Sequence, residues 1–216
     1  LAGRAIRCEF FPISHQEYDI ANNLDAILQW GSLPKTLLTK SETVKAGYLE
    51  TYVHTYLREE IQRESEIRNL EAFSRFLELA AVYNSKPINF AKIGRAAGVD
   101  GKTVKEYFTV LEDTLLALSL PAWSYSIAKQ LQTAPKTYLF DNGIINALTG
   151  DLRAELSPAT YRYGVLFENL IINEINRLRS LEFPEVKMYH YRTLNGKEID
   201  LILQKNISTL PIAIEI

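Results

Sequence analysis

Between Asn89 and Leu115 two amphipathic stripes are separated by only three residues, Gly98-Val99-Asp100. Phe90, Ile93 and Ala97 recur at helical spacing in the first stripe; Val104, Tyr107, Phe108 and Leu111 fall at i, i+3, i+4 and i+7 in the second. Gly98 suits the left-handed position just past a helix, and Asp100 suits the cap of the next one. The spacing predicts a helix over Asn89–Ala97, a tight turn, and a helix from Gly101 to about Leu115, which is the helix-turn-helix pattern. A preceding helix is expected over Phe73–Tyr83, broken at Lys86-Pro87. The apolar stretch Leu115–Leu120, the turn at Pro121 and the strand-like Thr137–Phe140 add a β wing, so the expectation is a winged helix.

The flanking segments are read the same way. Ala5–Phe11 reads as a short strand. Ser14 and Glu17 form a capping box opening a helix that runs to about Trp30, where Gly31 and Pro34 end it. From Ser41 to about Val82 the pattern is helical and charged, with pairs such as Glu59 with Arg63 and Glu64 with Arg68; it reads as a connector. The last third is an amphipathic helix, Gly164–Leu181, and three strands, Val186–Tyr191, Glu198–Leu203 and Ile212–Ile216, with a hairpin turn at Asn195-Gly196. The fold class is α+β, mainly helical at first and layered α/β at the end.

Composition bounds the function. Hydrophobic residues make up 47% of the 216 and charged residues 23%, which excludes a disordered chain. The longest uncharged stretch, Thr114–Ala128, contains Pro121 and is too short for a membrane span, so no membrane partner is expected. The one cysteine, Cys8, cannot form an internal bridge, and no basic-then-apolar leader opens the chain; the expected compartment is the cytoplasm. A net charge of −2 argues against a protein that simply coats nucleic acid.

Locally the balance differs. Residues 86–105 carry five cations against Asp100 alone, and Lys92, Arg95, Lys102 and Lys105 are the candidate DNA-binding residues. Lys102 and Lys105 lie opposite the apolar stripe of their helix, where a recognition helix meets a groove. Ordinary surface lysines on a protein-interaction module are the bland alternative. In Glu198–Leu203, alternation sets Ile199, Leu201 and Leu203 on one face and Glu198 and Asp200 on the other. In the last strand Glu215 stands opposite three isoleucines. Strand pairing would make Asp200 and Glu215 neighbours, and Glu168 on the preceding helix supplies a third acid. All-oxygen ligation of this kind suits Mg²⁺ or Mn²⁺, whose bound water would attack a phosphodiester. The alternative is the polar face of a half-exposed strand. His15, His54 and His190 lack metal-ligand spacing and read as surface residues, and Asp141-Asn142-Gly143 reads as a turn.

Taken together these motifs resemble the C-terminal two-thirds of an uncharacterised family of prokaryotic AAA-type (P-loop) ATPases, in which a winged helix and a PD-(D/E)XK nuclease-like domain follow the ATPase module. The resemblance is carried by Leu1-Ala2-Gly3-Arg4 with Phe11-Pro12-Ile13-Ser14, by Gly31-Ser32-Leu33-Pro34, and by Tyr48–Tyr52 with Arg58–Ile61. It continues through Gly98-Val99-Asp100, Pro135-Lys136-Thr137-Tyr138 with Asp141-Asn142-Gly143, Gly164 with Phe167-Glu168-Asn169, Gly196–Asp200 and Ile214-Glu215. It implies an ATPase end over residues 1–35, a helical connector over 36–70, a winged helix-turn-helix over 71–150 and an incomplete nuclease-like domain over 151–216. It also implies that Glu168, Asp200 and Glu215 are metal-binding, catalytic acids. The family's Glu-x-Lys lysine would fall one position beyond Ile216, and ATP would be bound only by the module outside this chain. The expected function is a DNA-binding, Mg²⁺- or Mn²⁺-dependent nuclease module of an ATP-binding protein. The alternative is a non-enzymatic scaffold for DNA or for a protein partner, including a second copy of the chain.

Overall fold

The structure is a computed structural model and describes residues 9–60, 67, 69–124, 126, 133–193, 195–206 and 208–216. Residues 5–8 of the expected first strand, the Leu1–Arg4 motif, Cys8 and the Glu59–Arg63 and Glu64–Arg68 pairs lie wholly or partly outside them. Glu9 and Phe10 are not in a strand.

The helix expected over Ser14–Trp30 is two pieces. The Ser14 N–H and hydroxyl both donate to Glu17 Oε2 at 3.0 Å, so the capping box forms its turn. Asp19 then accepts from the Asn22 N–H at 3.2 Å and restarts the backbone as a 3-10 turn, Ala21–Asn23. Helix α1 (Leu24–Trp30) follows, then α2 (Pro34–Leu38) and α3 (Glu42–Thr51), whose N-cap is Ser41. The chain continues from α3 as a π-type helix over Tyr52–Glu60.

The helix-turn-helix forms as its stripes require. It comprises α4 (Leu70–Val82), α5 (Phe90–Ala97) and α6 (Gly101–Asp113). The Asn89 and Asp100 side chains cap α5 and α6, accepting from Lys92 N at 2.9 Å and Thr103 N at 2.7 Å. Gly98 ends α5 at φ +79°. A Cβ at Gly94 would stand 2.7 Å from the Val99 carbonyl oxygen, so the close turn needs a glycine there. Phe76 packs edge-on against Phe108, ring centroids 4.8 Å apart, and Tyr107 packs against Phe73 at 5.1 Å.

Strands β1 (Ala117–Leu120) and β2 (Lys136–Leu139) pair antiparallel, with Ala117 opposite Leu139, giving the three-helix-plus-ribbon order of a winged helix. Asp141 does not sit in a simple turn. Its buried carboxylate caps a helix, α7 (Asn142–Thr149), accepting from Ile144 N at 3.2 Å, and also accepts from Ser32 N at 2.7 Å. A Cβ at Gly31 would stand 1.9 Å from Asp141 Oδ1, which is why the Gly31-Ser32 turn can close on this residue.

Helix α8 (Tyr161–Glu182) begins three residues before the expected Gly164, capped by Thr160. Strands β3 (Lys187–Arg192), β4 (Glu198–Gln204) and β5 (Ile212–Ile214) form an antiparallel sheet in that order. The hairpin between β3 and β4 closes on Thr193 and Lys197, whose N–H to carbonyl bond is 2.8 Å, with Gly196 at φ +83°.

One buried cluster runs from Ile20 to Leu170 and joins α1, α3, the helix-turn-helix, α7 and the first half of α8. A second joins Leu120 and Tyr138 to Ile172, Met188 and Leu201. Helix α8 thus packs on both. A chain of buried amides ties the joint: Asn84 donates to Asn169 at 3.1 Å and Asn169 to Asn142 at 2.9 Å, while Asn84 accepts from Leu139 N at 2.7 Å. The molecule is α+β. Among the described residues no helix is long and apolar enough to cross a membrane.

Candidate functional site: a lysine among carboxylates

Strand β2 lies between β1 and residues 85–88 and packs under α8; Ser85 N and Ile88 N donate to Thr137 O and Pro135 O, both at 2.9 Å. Alternation sends Lys136 and Tyr138 to one side. The Lys136 side chain is 2% exposed. Its Nζ lies 3.1 Å from Glu168 Oε1 on α8, in contact with Glu198 Oε1 and 3.7 Å from Asp200 Oδ1, both on β4. The Tyr138 hydroxyl donates to Glu168 Oε1 at 2.7 Å.

Simple alternation does not bring Glu198 and Asp200 there. The β3–β4 register shifts between Tyr189, opposite Ile202, and Tyr191, opposite Ile199, so Asp200 and Leu201 together face His190. This is a β-bulge, which re-aims side chains. Leu201 packs in the cluster with Ile172, and past the bulge Asp200 and Glu198 turn to the same side and meet Lys136. Glu215 does not join them. Ile214 and Ile216 both pack on that cluster, so Glu215 between them faces away and is exposed. The Ile216 N–H donates instead to Asp200 Oδ2 at 3.0 Å.

Burial works to lower the pKa of Lys136, but the carboxylates of Glu168 and Glu198 outweigh it, and the ammonium is held above its ordinary value. Burial pushes Glu168 up, against the pull of Lys136 and the hydrogen bond from Tyr138. Tyr138 is raised by burial and by the Glu168 charge and stays protonated. His190 is not a surface residue: it is 1% exposed, its Nε2 lies 3.2 Å from Ala134 O, and burial lowers its pKa.

These donors do not fit a divalent metal as arranged. A lysine ammonium stands where a cation would be held, Glu215 is on the far side of the sheet, and among the described residues no group of three His, Cys, Asp or Glu side chains is placed to hold one. Sequence reasoning singled out Glu168 and Asp200 but gave no role to Lys136, Tyr138 or Glu198. The available signal was Lys136-Thr137-Tyr138 itself, a lysine sharing a strand face with a tyrosine.

The candidate DNA-binding residues stand elsewhere. Lys92 and Arg95 on α5, and Lys102 and Lys105 on α6, are all exposed, while Val104, Tyr107, Phe108 and Leu111 are buried on the other side of α6. Lys92 Nζ lies 5.3 Å from the Tyr83 ring centroid, and Lys102 Nζ 4.0 Å from Glu106 Oε1.

Residues 163–216 match a family described as a domain of unknown function (DUF4143). Two uncharacterized proteins, one of Mycobacterium bovis and one of Mycobacterium tuberculosis, are each 25% identical over 219 residues, covering 100% of this chain and 47% of their own length. The chain therefore spans about half the length of these curated relatives. No solved structure matches it. Residues 21–155, well over half of the chain and including the whole helix-turn-helix, match the family described as a domain of unknown function (DUF8612), and the chain belongs to that family.

Proposed function

We propose that this chain is the DNA-binding portion of an AAA-type ATP-binding protein whose P-loop lies outside residues 1–216, and that its winged helix grips duplex DNA through α5 and α6. One observation carries the reading: Lys92, Arg95, Lys102 and Lys105 are all exposed on the two helices of the helix-turn-helix, in a chain of net charge −2. Helix α6 is the element for the major groove, with flanking cations on phosphates. The ATPase association rests on the order of motifs along the sequence, and any ATP dependence or protein partner enters through the rest of the protein. The test is duplex binding at low salt by the parent chain and by Lys102→Ala with Lys105→Ala. Loss in the variant supports the reading; unchanged binding contradicts it.

A second reading, metal-dependent phosphodiester cleavage, would require Glu168 and Asp200, which converge on Lys136, to exchange that ammonium for a divalent ion. With Lys136 in place, the first reading gives the cluster a scaffolding role. Mn²⁺-dependent cleavage of labelled single- or double-stranded DNA, abolished by Asp200→Ala, would establish the second reading; no cleavage by the parent leaves the scaffold.

A further inference from the structure

Above the Lys136 cluster is an open cleft of about 480 Å³ between residues 85–87, the first turns of α8 and the ends of β3 and β4. One face of α8 lines it with Tyr161, Gly164, Val165 and Glu168, spaced i, i+3, i+4 and i+7. Tyr161 is 71% exposed at the mouth. A Cβ at Gly164 would meet nothing within 4 Å, so the space beside the ring is open. Val165 gives an apolar wall and Glu168 an acceptor on the floor. That is a slot for a flat, partly polar ring.

The charges select among such rings. Lys86, Lys136 and Arg192 line the cleft against Glu168, Glu198 and Asp200, three cations to three carboxylates. A phosphate gains little at a floor of carboxylates, whereas a neutral ring with amino donors can hydrogen-bond to them. The exposed cations lie at the rim: Lys86 Nζ sits 5.4 Å from the Tyr161 ring centroid, and the Arg192 side chain, 46% exposed, has its Nε 3.8 Å from Glu198 Oε2. The rim also continues toward the helix-turn-helix. Lys86 Nζ donates to Val82 O at 3.0 Å and Lys92 Nζ lies over Tyr83, so both cations gather at the C-terminal end of α4.

We infer that this cleft receives an unpaired nucleobase from a DNA strand held by the winged helix, stacked on Tyr161 over Gly164, with the adjoining phosphates at Lys86 and Arg192. The inference rests on the DNA-binding reading above, and the slot extends it to duplexes that carry a single-stranded end. Base–aromatic stacking of this kind is sequence-tolerant.

The test is fluorescence anisotropy with a blunt duplex and with the same duplex carrying a short unpaired extension. The extension should tighten binding about tenfold. Tyr161→Ala and Gly164→Val should each remove that gain and leave blunt-duplex affinity unchanged, while Tyr161→Phe keeps it. Lys102→Ala with Lys105→Ala should weaken both probes by the same factor and preserve the gain. Equal affinity for the two probes, or a gain that survives both Tyr161→Ala and Gly164→Val, overturns the slot. Binding of the extended probe alone overturns the winged-helix reading and leaves the slot standing; binding of neither overturns both.

Discussion

A lysine whose side chain is 2% exposed keeps its charge only because carboxylates surround it. Replacing Lys136 by Met would leave Glu168, Glu198 and Asp200 facing one another in a partly buried site. The expected cost is about 3–5 kcal/mol, read from urea denaturation; a loss below about 1 kcal/mol, the size of an exposed pair, would show that Lys136 does not hold the cluster. Asp141 tests a different charge. Burial raises its carboxyl above the ordinary 3.8, against the hydrogen bond from the Ser32 N–H and the nearby Arg177 charge. A raised pKa means that this residue's contribution is full at low pH and is lost as pH rises through the folded value. Asp141→Asn, which does not ionise, should be less stable than the parent at about pH 4, and its deficit should narrow toward about pH 7; a deficit that widens over that range would reverse the sign. Neither role was legible from local spacing. Asp141 reads as a turn residue because its partner Ser32 is far away in sequence, and Lys136 meets its carboxylates only once α8 and β4 have packed on β2.

The helices and caps were legible because their signals are local. Asn89, Gly98 and Asp100 act where they stand, and the stripe Val104, Tyr107, Phe108 and Leu111 is buried as its period requires. Asp100→Ala should lower stability by about 1 kcal/mol through loss of the cap on α6, as read by the thermal midpoint. Gly94→Ala should cost about 1–3 kcal/mol, because the added methyl meets the Val99 carbonyl, a backbone atom that moves only if the turn opens. A neutral result for Gly94→Ala would mean that α5 and α6 approach less closely than described. The bulge in β4 was not legible. Period-2 alternation sends Asp200 away from Leu201, and only the pairing around His190, which also bridges to Ala122, shows that both residues oppose one partner. The same alternation succeeds for Glu215, where no bulge intervenes, and it is this contrast that separates the two acids expected together.

Across the whole molecule, α8 shares its first half with the core that contains the helix-turn-helix and its second half with the three-stranded sheet. The amide chain Asn84–Asn169–Asn142 fixes that joint with hydrogen bonds that have no solvent to replace them. The winged helix and α8 should therefore unfold in one transition, with tryptophan fluorescence and far-ultraviolet circular dichroism giving coincident midpoints; two separated transitions would contradict a shared core. A fixed joint also holds the cationic faces of α5 and α6 in constant relation to the Lys136 cleft, as the proposed path of a DNA strand between them would require. The proposal that those faces bind DNA is tested by duplex affinity across a salt series. If they do, log K falls linearly with log salt, and Lys102→Ala and Lys105→Ala each lower the slope by about one while weakening different sequences alike. Binding that ignores salt, or a slope unchanged in both variants, would contradict it.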